Sequence, residues 1–461
     1  MPASRHGRQP RVVAALAVVA AAWVVLPVRA PVRALARTPV DVSAPTRTPA
    51  QARAAEPAWR TLALAAFDDT WSTINDTFYD PSFGGVDWAA LRGEYRARAL
   101  QAPDPEAVRT IIREMIARLG RSHFALLSSA PEEEDVLPGP ALVPIDVRAG
   151  AAGMLVTRVR DVDAARVQTG DVLVRIDGRD VDDVPGGHTP EARRARLEAW
   201  RDVNRRLHGA VGSTARLEVR GPDGRPREVG ATRVNESGQT VRFGNLPALT
   251  VRVDTREVRT PEGRRVGVIG FNIWMAAING PVARAMDTYR DAAGLVIDLR
   301  GNPGGLAEMI RGIAGHLLDE PVVLGRMQTR AAPLTFTANP RRATADGRLV
   351  DPYDGPVAIL VDALTASASE CFAGALQSLG RVHVVGRRTM GQALPAVTRR
   401  LPNGDALMYA IGDFVTATGV ALEGDGVQPD EVVALTPEGL AGGQDPDLMA
   451  ALRWIDAKSG R

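Results

Sequence analysis

The 461-residue chain contains one cysteine, Cys371, and one lysine, Lys458, at its extreme C-terminal end. A single cysteine permits no internal disulfide and no cysteine-rich metal centre. Every other cation is arginine, which keeps its proton near neutral pH, so a lysine general base in the interior of the chain is excluded. The chain also lacks a charge excess: 56 basic residues face 54 acidic ones. Four of the arginines lie in the first 30 residues, where there is no acid, and a chain starting at Pro31 would have a net charge of −2. Nucleic-acid binding by bulk charge is excluded. No long apolar run is evident either; Val12–Leu26 has fifteen residues, short of the about 20 a spanning helix needs. With 45 % apolar and 24 % charged residues, the composition is that of a soluble globular protein of two to four domains.

The N-terminal segment Met1–Ala30 places Arg5, Arg8 and Arg11 before the apolar run and ends in Val28-Arg29-Ala30. This is the layout of a signal peptide cleaved near Ala30 or Ala34, with an uncleaved anchor as the alternative. Both place the rest of the chain outside the cytoplasmic membrane, in the periplasm or another extracytoplasmic space. Residues 31–57, rich in Pro, Ala, Thr and Arg, read as a flexible linker. Residues 58–130 form a helical domain, with Val108, Ile111, Ile112, Met115 and Ile116 at helical spacing. The acidic run Glu132–Asp135 reads as a solvated linker. Residues 245–440 alternate strands such as Gly294–Leu299 and Val357–Val361 with helices such as Ser369–Leu379, which predicts a mainly parallel sheet covered by helices. A C-terminal helix or tail occupies 441–461, and loops such as 325–350 are candidates for setting substrate preference.

Between 138 and 235 the pattern is short strands with Gly and Asp turns, and a helix over Pro190–Leu207. Gly170-Asp171, the strand Val172–Ile176 and Ile176-Asp177-Gly178 together resemble a PDZ domain. Such a domain binds an extended chain by strand addition beside a helix. Gly150-Ala151-Ala152-Gly153 is the candidate loop for a terminal carboxylate, with Gly150, Gly153, Met154 and Leu155 as peptide-binding residues. The alternative is a small β-domain that only spaces or covers the site.

Four segments carry candidate chemistry. Leu364–Glu370 follows an apolar strand and opens a helix, so a serine there meets free N–H groups and the positive end of the helix. Acyl transfer requires that combination, because negative charge develops on the carbonyl oxygen. Asp298–Gly305 also leaves a strand, and Gly304 or Gly305 could aim an N–H at that oxygen. The remaining two are Leu119–Phe124, with Ser122-His123, and Leu422–Asp430, with Glu423.

Together these segments resemble the carboxyl-terminal processing (tail-specific) serine peptidases and their tricorn-like relatives, over residues 60–435. The resemblance rests on SASE at Ser367–Glu370, DLRGNPGG at Asp298–Gly305 and EGDGVQPD at Glu423–Asp430. It implies an α/β, crotonase-like catalytic domain with a helical N-terminal domain and an inserted PDZ-like β-domain. In the superfamily the first serine of SASE is the nucleophile, which points to Ser367 rather than Ser369. The processing branch follows it with a lysine, but here that position is Gln392 in Gly386-Arg387-Arg388-Thr389-Met390-Gly391-Gln392. The tricorn-like branch uses a serine-preceded histidine and a downstream glutamate, which Ser122, His123 and Glu423 match.

The expectation is therefore an exported serine endopeptidase of proteins or peptides. Ser367 attacks, His123 acts as base and then acid, and Glu423 fixes the tautomer from the other ring nitrogen. Ser122 could bond to Glu423 or to His123. Ala368 with Gly304 or Gly305 supplies the oxyanion hole. No metal or organic cofactor is implied, nor a nucleic-acid partner, and membrane contact is confined to the signal or anchor segment. His6, His188, His208, His316 and His383 are the rival histidines, and Cys371 reads as a packed residue. The alternative function is a non-catalytic protein on the same fold that holds a peptide tail or an apolar ligand.

Overall fold

A computed structural model describes residues 58–129, 137–187, 189–242 and 248–459. The expected signal segment and linker, the acidic run Glu132–Asp135 and His188 lie outside the described residues. Among the described residues no helix is long and apolar enough to cross a membrane.

Three helices open the structure: α1 (Ala58–Thr77), α2 (Trp88–Leu100) and α3 (Pro105–Ala117). Asp87 and Asp104 cap the second and third by accepting from Ala90 N and Ala107 N, and Pro105 starts α3 where its missing N–H costs nothing. The apolar stripe of α3 is buried as its spacing predicts. In α1 the inward face is Ala63, Ala66, Phe67, Thr70 and Ile74, while Leu62 points outward. The alanines on that face let the helices approach closely. After Gly120 the chain forms a short strand, β1 (Ala125–Leu127), inside the region expected to be helical.

The next unit is a sheet of β2 (Ile145–Gly150), β3 (Gly153–Val159), β4 (Val172–Ile176), β5 (Thr214–Arg220) and β6 (Pro226–Thr232), paired antiparallel in that order. Helix α4 (Pro190–Leu207) buries Ala199, Val203 and Leu207 against it.

Next comes a six-stranded sheet. It begins with the antiparallel pair β7 (Val253–Arg259) and β8 (Arg265–Phe271). Helix α5 (Asn279–Thr288) leads to β9 (Gly294–Asp298), parallel to β8, and α6 (Glu308–Ala314) follows. The strands β10 (Val322–Thr329) and β11 (Pro333–Ala338) then form an antiparallel pair in a region expected to be loop. The main sheet resumes with β12 (Val357–Val361), helix α7 (Ala368–Ser378) and β13 (His383–Gly386), the strands parallel to β9. Residues alternate between its faces with period two. Leu295, Ile297, Val357, Ile359 and Val361 pack with α5, α6 and α7, whereas Val296, Ala358 and Leu360 pack with the last helix. Burial on both faces explains the near-continuous apolar sequence of β9 and β12.

The chain then makes the hairpin β14 (Ala396–Arg400) and β15 (Ala406–Ala410), strand β16 (Gly412–Thr416) against β10, the short β17 (Glu431–Val432) on the sheet edge, and α8 (Pro446–Ser459). The hairpin anchors the N-terminal helices. β1 pairs with β15, and Leu401 and Leu407 join the helical core. Fully buried Asp405 accepts from Arg109 Nε of α3 at 2.9 Å and from Ser129 N at 2.8 Å. Burial pushes the Asp405 carboxyl up, but the Arg109 and Ser129 hydrogen bonds more than reverse it, leaving it below the usual range. Breaking such a buried pair is expected to cost about 3–5 kcal/mol. Asp405→Ala should therefore lower the denaturation midpoint. The stability Asp405 supplies is present above the unfolded carboxyl range and lost as pH falls through the lower folded pKa, so the variant's stability should also respond less to acid. A variant as stable as the parent at neutral pH would contradict this anchoring.

Candidate active site

Two turns leave the carboxyl ends of adjacent parallel strands, where open α/β sheets place their ligand sites. One runs from Asp298 at the end of β9 to Gly305; the other runs from Asp362, after β12, to Ser367 at the start of α7. Ser367 has φ 54° and ψ −119°, a region sparsely populated by residues with a side chain. Its N–H donates to Gln392 O at 2.8 Å and to Glu370 Oε2 at 3.0 Å, and its carbonyl receives the first helical bond, from Cys371 N. These bonds hold the turn and project the hydroxyl into the cleft.

His123 comes from the other end of the chain, two residues before β1. It too has a positive φ, 61°. Its Nε2 lies 3.1 Å from Ser367 Oγ, and its Nδ1 lies 2.7 Å from Ser122 Oγ. Ser122 Oγ in turn donates to Glu423 Oε2 at 2.8 Å. Glu423 also accepts from Ser122 N at 3.0 Å and Ala393 N at 2.9 Å. Sequence reasoning expected the carboxylate directly on the imidazole; here the Ser122 hydroxyl stands between them, because the carboxylate is already held by the backbone of Ser122 and Ala393.

The donors fix the tautomer. An ionised carboxylate only accepts, so Ser122 spends its proton on Glu423 and accepts from Nδ1–H. That leaves Nε2 bare toward the Ser367 hydroxyl. Burial lowers the His123 pKa to about 4, so the imidazole is neutral near pH 7. Burial also pushes the Glu423 carboxyl up, while the three donors on it and Arg121 act in the opposite direction.

The glycine turn lies against the serine. A methyl group at Gly304 would come within 2.7 Å of Ser367 Cβ and 3.1 Å of Ala368 N. Gly304 N–H is already given to Asn302 Oδ1 at 3.0 Å, so Gly304 is not a free donor. Gly305 differs. Its bridge to Trp274 runs through Gly304 O and Leu306 N, which turns Gly305's own N–H away from Trp274. Among the described residues no acceptor pairs with Gly305 N–H or Ala368 N–H.

The remaining candidates fall elsewhere. Gly150 and Gly153 pair across a tight hairpin between β2 and β3, with Gly150 packed on Leu155 and Leu435, so they do not line an open carboxylate loop. Met154 and Leu155 are fully buried on an interior strand paired on both sides, which leaves no edge for a peptide. The two end strands of that sheet are β2 and β6, and β2 is the one beside α4. Ser369 is buried and accepts from Trp274 Nε1 at 2.8 Å. Cys371 is buried, and burial pushes its thiol up. His316 is buried in the core of the fold, His383 stacks on Trp454, and His208 bonds Asn204 O.

Two residues of the site went unrecognised in the sequence. Glu370 is fully buried and accepts from Ser367 N, Thr389 Oγ1, Gly391 N and Gln392 N, tying the Ser367 turn to the segment that carries Ala393. Burial pushes its carboxyl up to about 7 against those four donors. The Ser-x-x-Glu spacing of a capping box could have flagged it. Asp362 had no such signal. A cleft of about 2340 Å³ opens before Ser367, His123 and Glu423 and continues between β2 and α4.

Residues 265–433 match the model of peptidase family S41, and residues 64–117 match the tricorn protease C1 domain. The region that carries Ser367 is thus similar to the peptidase domain of family S41. A carboxyl-terminal-processing protease of Picosynechococcus sp. is 27 % identical to this chain over 397 residues, covering 82 % of it and 85 % of the relative. A C-terminal processing peptidase, chloroplastic, of Tetradesmus obliquus is 26 % identical over 388 residues, covering 81 % and 77 %. The photosystem II D1 C-terminal processing protease shares the fold with a TM-score of 0.54 at 22 % identity, covering 86 % of this chain and 98 % of that one. Mature CPAF shares it with a TM-score of 0.56 at 14 % identity, covering 87 % and 97 %. The chain is a serine-type peptidase with an α/β fold, acting on proteins or peptides.

A direct check of the electrostatics is available in solution. The His123 imidazole should titrate near pH 4, followed by its ring NMR signals and assigned by their loss in His123→Asn. A midpoint near the ordinary histidine value would show that the ring is not desolvated.

Proposed function

We propose that this peptidase is an exported serine endopeptidase that cleaves through an acyl-enzyme formed on Ser367, with Ser122, His123 and Glu423 as its base relay. The observation that carries the reading is the unbroken hydrogen-bond chain from Glu423 through Ser122 and His123 to Ser367. His123 Nε2 takes the Ser367 proton as Oγ bonds to the scissile carbonyl carbon. Ala368 and Gly305 N–H groups hold the oxyanion. As the tetrahedral intermediate collapses the C–N bond breaks, and His123 gives the proton to the leaving amine. Water then repeats the sequence on the acyl group, releasing the acid and restoring Ser367. Ser122 steers His123 in this reading, and Glu423 stabilises the imidazolium through the Ser122 hydroxyl rather than by contact.

The β2–β6 unit with α4 is read as a PDZ-like domain that binds substrate chains and gates the cleft. Its support is contact with the catalytic turns: Leu197 and Trp200 of α4 pack on Leu364, Ala366 and Met390, and Arg193 donates to Gly424 O. The binding edge is β2 facing α4, in place of the Gly150–Gly153 hairpin. At present Trp200 Nε1 donates to Val147 O on that edge, at 3.1 Å. Export rests on the Met1–Ala30 sequence.

Turnover of an unstructured fluorogenic peptide tests the reading. Ser367→Ala should abolish it and prevent labelling by a fluorophosphonate, and His123→Ala should cost roughly 10²–10⁴ in kcat. Ser122→Ala should lower kcat with little change in KM, and Gln392→Ala should retain most of it. Activity needs neutral His123, so kcat/KM should rise with pH through about 4 rather than through the ordinary histidine range. Unlabelled Ser367 in the wild-type protein would instead favour a ligand-holding protein on this fold.

A further inference from the structure

Beside the relay, three pieces of chain that are distant in sequence meet on one carboxylate. Asp362 follows β12 and is 2 % exposed. Its Oδ1 accepts from Gly301 N at 2.9 Å, Leu364 N at 2.9 Å and Thr365 N at 3.1 Å. Gly301 belongs to the turn that presents Gly305, and Leu364 and Thr365 belong to the turn that presents Ser367. This carboxylate therefore joins the two turns, alongside the direct bonds from Ala366 N to Asn302 O at 3.1 Å and from Thr365 Oγ1 to Leu299 O at 2.9 Å.

The other oxygen is held from outside the catalytic sheet. Arg148, on β2 of the β-domain, donates from Nε to Asp362 Oδ2 at 2.5 Å and from Nη2 to Arg300 O at 3.2 Å. A methyl group at Gly301 would lie 2.1 Å from Arg148 Nη2, so residue 301 has no side chain where the guanidinium passes. Gly301 also has φ +72°, which independently suits glycine. Three N–H donors would satisfy a neutral amide oxygen equally well. A buried carboxylate in that place also needs a cation beside it.

The surrounding charges are few. Asp362 faces Arg148 from β2 and Arg387 from the segment after β13; Arg148 itself also faces Asp146 of β2 and Arg300 of the glycine turn. Burial pushes the Asp362 carboxyl up, and Arg148, then Arg387 and Gly301 N–H, reverse this and hold it below the usual range.

We propose that Arg148 is a positioning residue for the peptidase reaction: through Asp362 it holds the oxyanion turn and the nucleophile turn at their working separation, and so makes the docked β-domain part of the active site. The proposal rests on the peptidase reading of Ser367. Arg148 touches no reacting atom, and its effect reaches the chemistry through Asp362 and the backbone carbonyl of Arg300.

The test compares wild type, Arg148→Ala, Arg148→Lys, Asp362→Asn and the double variant Arg148→Ala/Asp362→Asn on the same unstructured fluorogenic peptide. Misplacement of the turns in Arg148→Ala is expected to lower kcat on the order of 10²-fold, with KM little changed. Removing Arg148 takes away the largest influence that opposes burial and leaves Arg387 and Gly301 N–H, so the Asp362 carboxyl should rise and the acid limb of kcat should move to higher pH. Guanidinium ion at a low, non-denaturing concentration should restore part of the rate. The double variant should recover activity over Arg148→Ala, because an amide oxygen accepts the same three N–H groups without needing a cation. Arg148→Lys, which keeps the charge but lacks the fork, should fall between. An Arg148→Ala enzyme with wild-type kcat and acid limb overturns the proposal, and so does a double variant no better than Arg148→Ala. A wild-type protein that neither labels with fluorophosphonate nor hydrolyses peptide overturns the peptidase reading itself and this proposal with it.

Discussion

An ionised carboxylate can only accept hydrogen bonds, and at the far end of the relay that restriction sets the direction of every bond before it. Glu423 takes the Ser122 proton, Ser122 must then accept from His123 Nδ1, and His123 Nε2 is left as the acceptor for Ser367. The same carboxylate is costly to bury, which is why two backbone N–H groups meet it in addition to the hydroxyl. With His123 desolvated and neutral, the relay leaves a bare imidazole nitrogen facing Ser367 in a chain whose one lysine is Lys458.

The fold supplies the frame that keeps this chain of bonds from drifting. Parallel strands β9 and β12 end side by side, so the two turns that follow are neighbours by construction. Ser367 occupies a strained backbone conformation, and such strain, on the order of 1–3 kcal/mol, persists only where surrounding bonds over-determine it. Glu370 and Gln392 O provide those bonds on one side and Asp362 on the other. From the opposite direction, β1 on the β14–β15 hairpin and Asp405 on Arg109 bring the N-terminal helices, and with them Ser122 and His123, to the cleft.

Much of this was legible residue by residue. The apolar run Val357–Val361 became a central strand with the expected bounds, and Pro190–Leu207 became a helix, because buried strands and capped amphipathic helices announce themselves locally. The strands β10 and β11 did not, since their exposed, mixed faces give no clean alternation. Gly150 and Gly153 were misplaced for a related reason: glycine marks a turn whether the turn binds a ligand or closes a hairpin. Between Gly304 and Gly305 the deciding fact was the Asn302 amide, which takes one N–H and leaves the other.

By itself the sequence determined the chemistry available. It put a serine at a strand-to-helix turn, a histidine after a serine, a glutamate downstream and no interior lysine, and those choices already excluded a lysine base. The tertiary structure decided the connections: that Ser122 stands between Glu423 and His123, that Gly305 rather than Gly304 offers its N–H, and that Arg148 reaches Asp362 from another sheet. The physical reason is range. Propensity, capping and periodicity act over a few residues, whereas hydrogen-bond partners hundreds of residues apart are chosen by how the packed elements place their backbone groups.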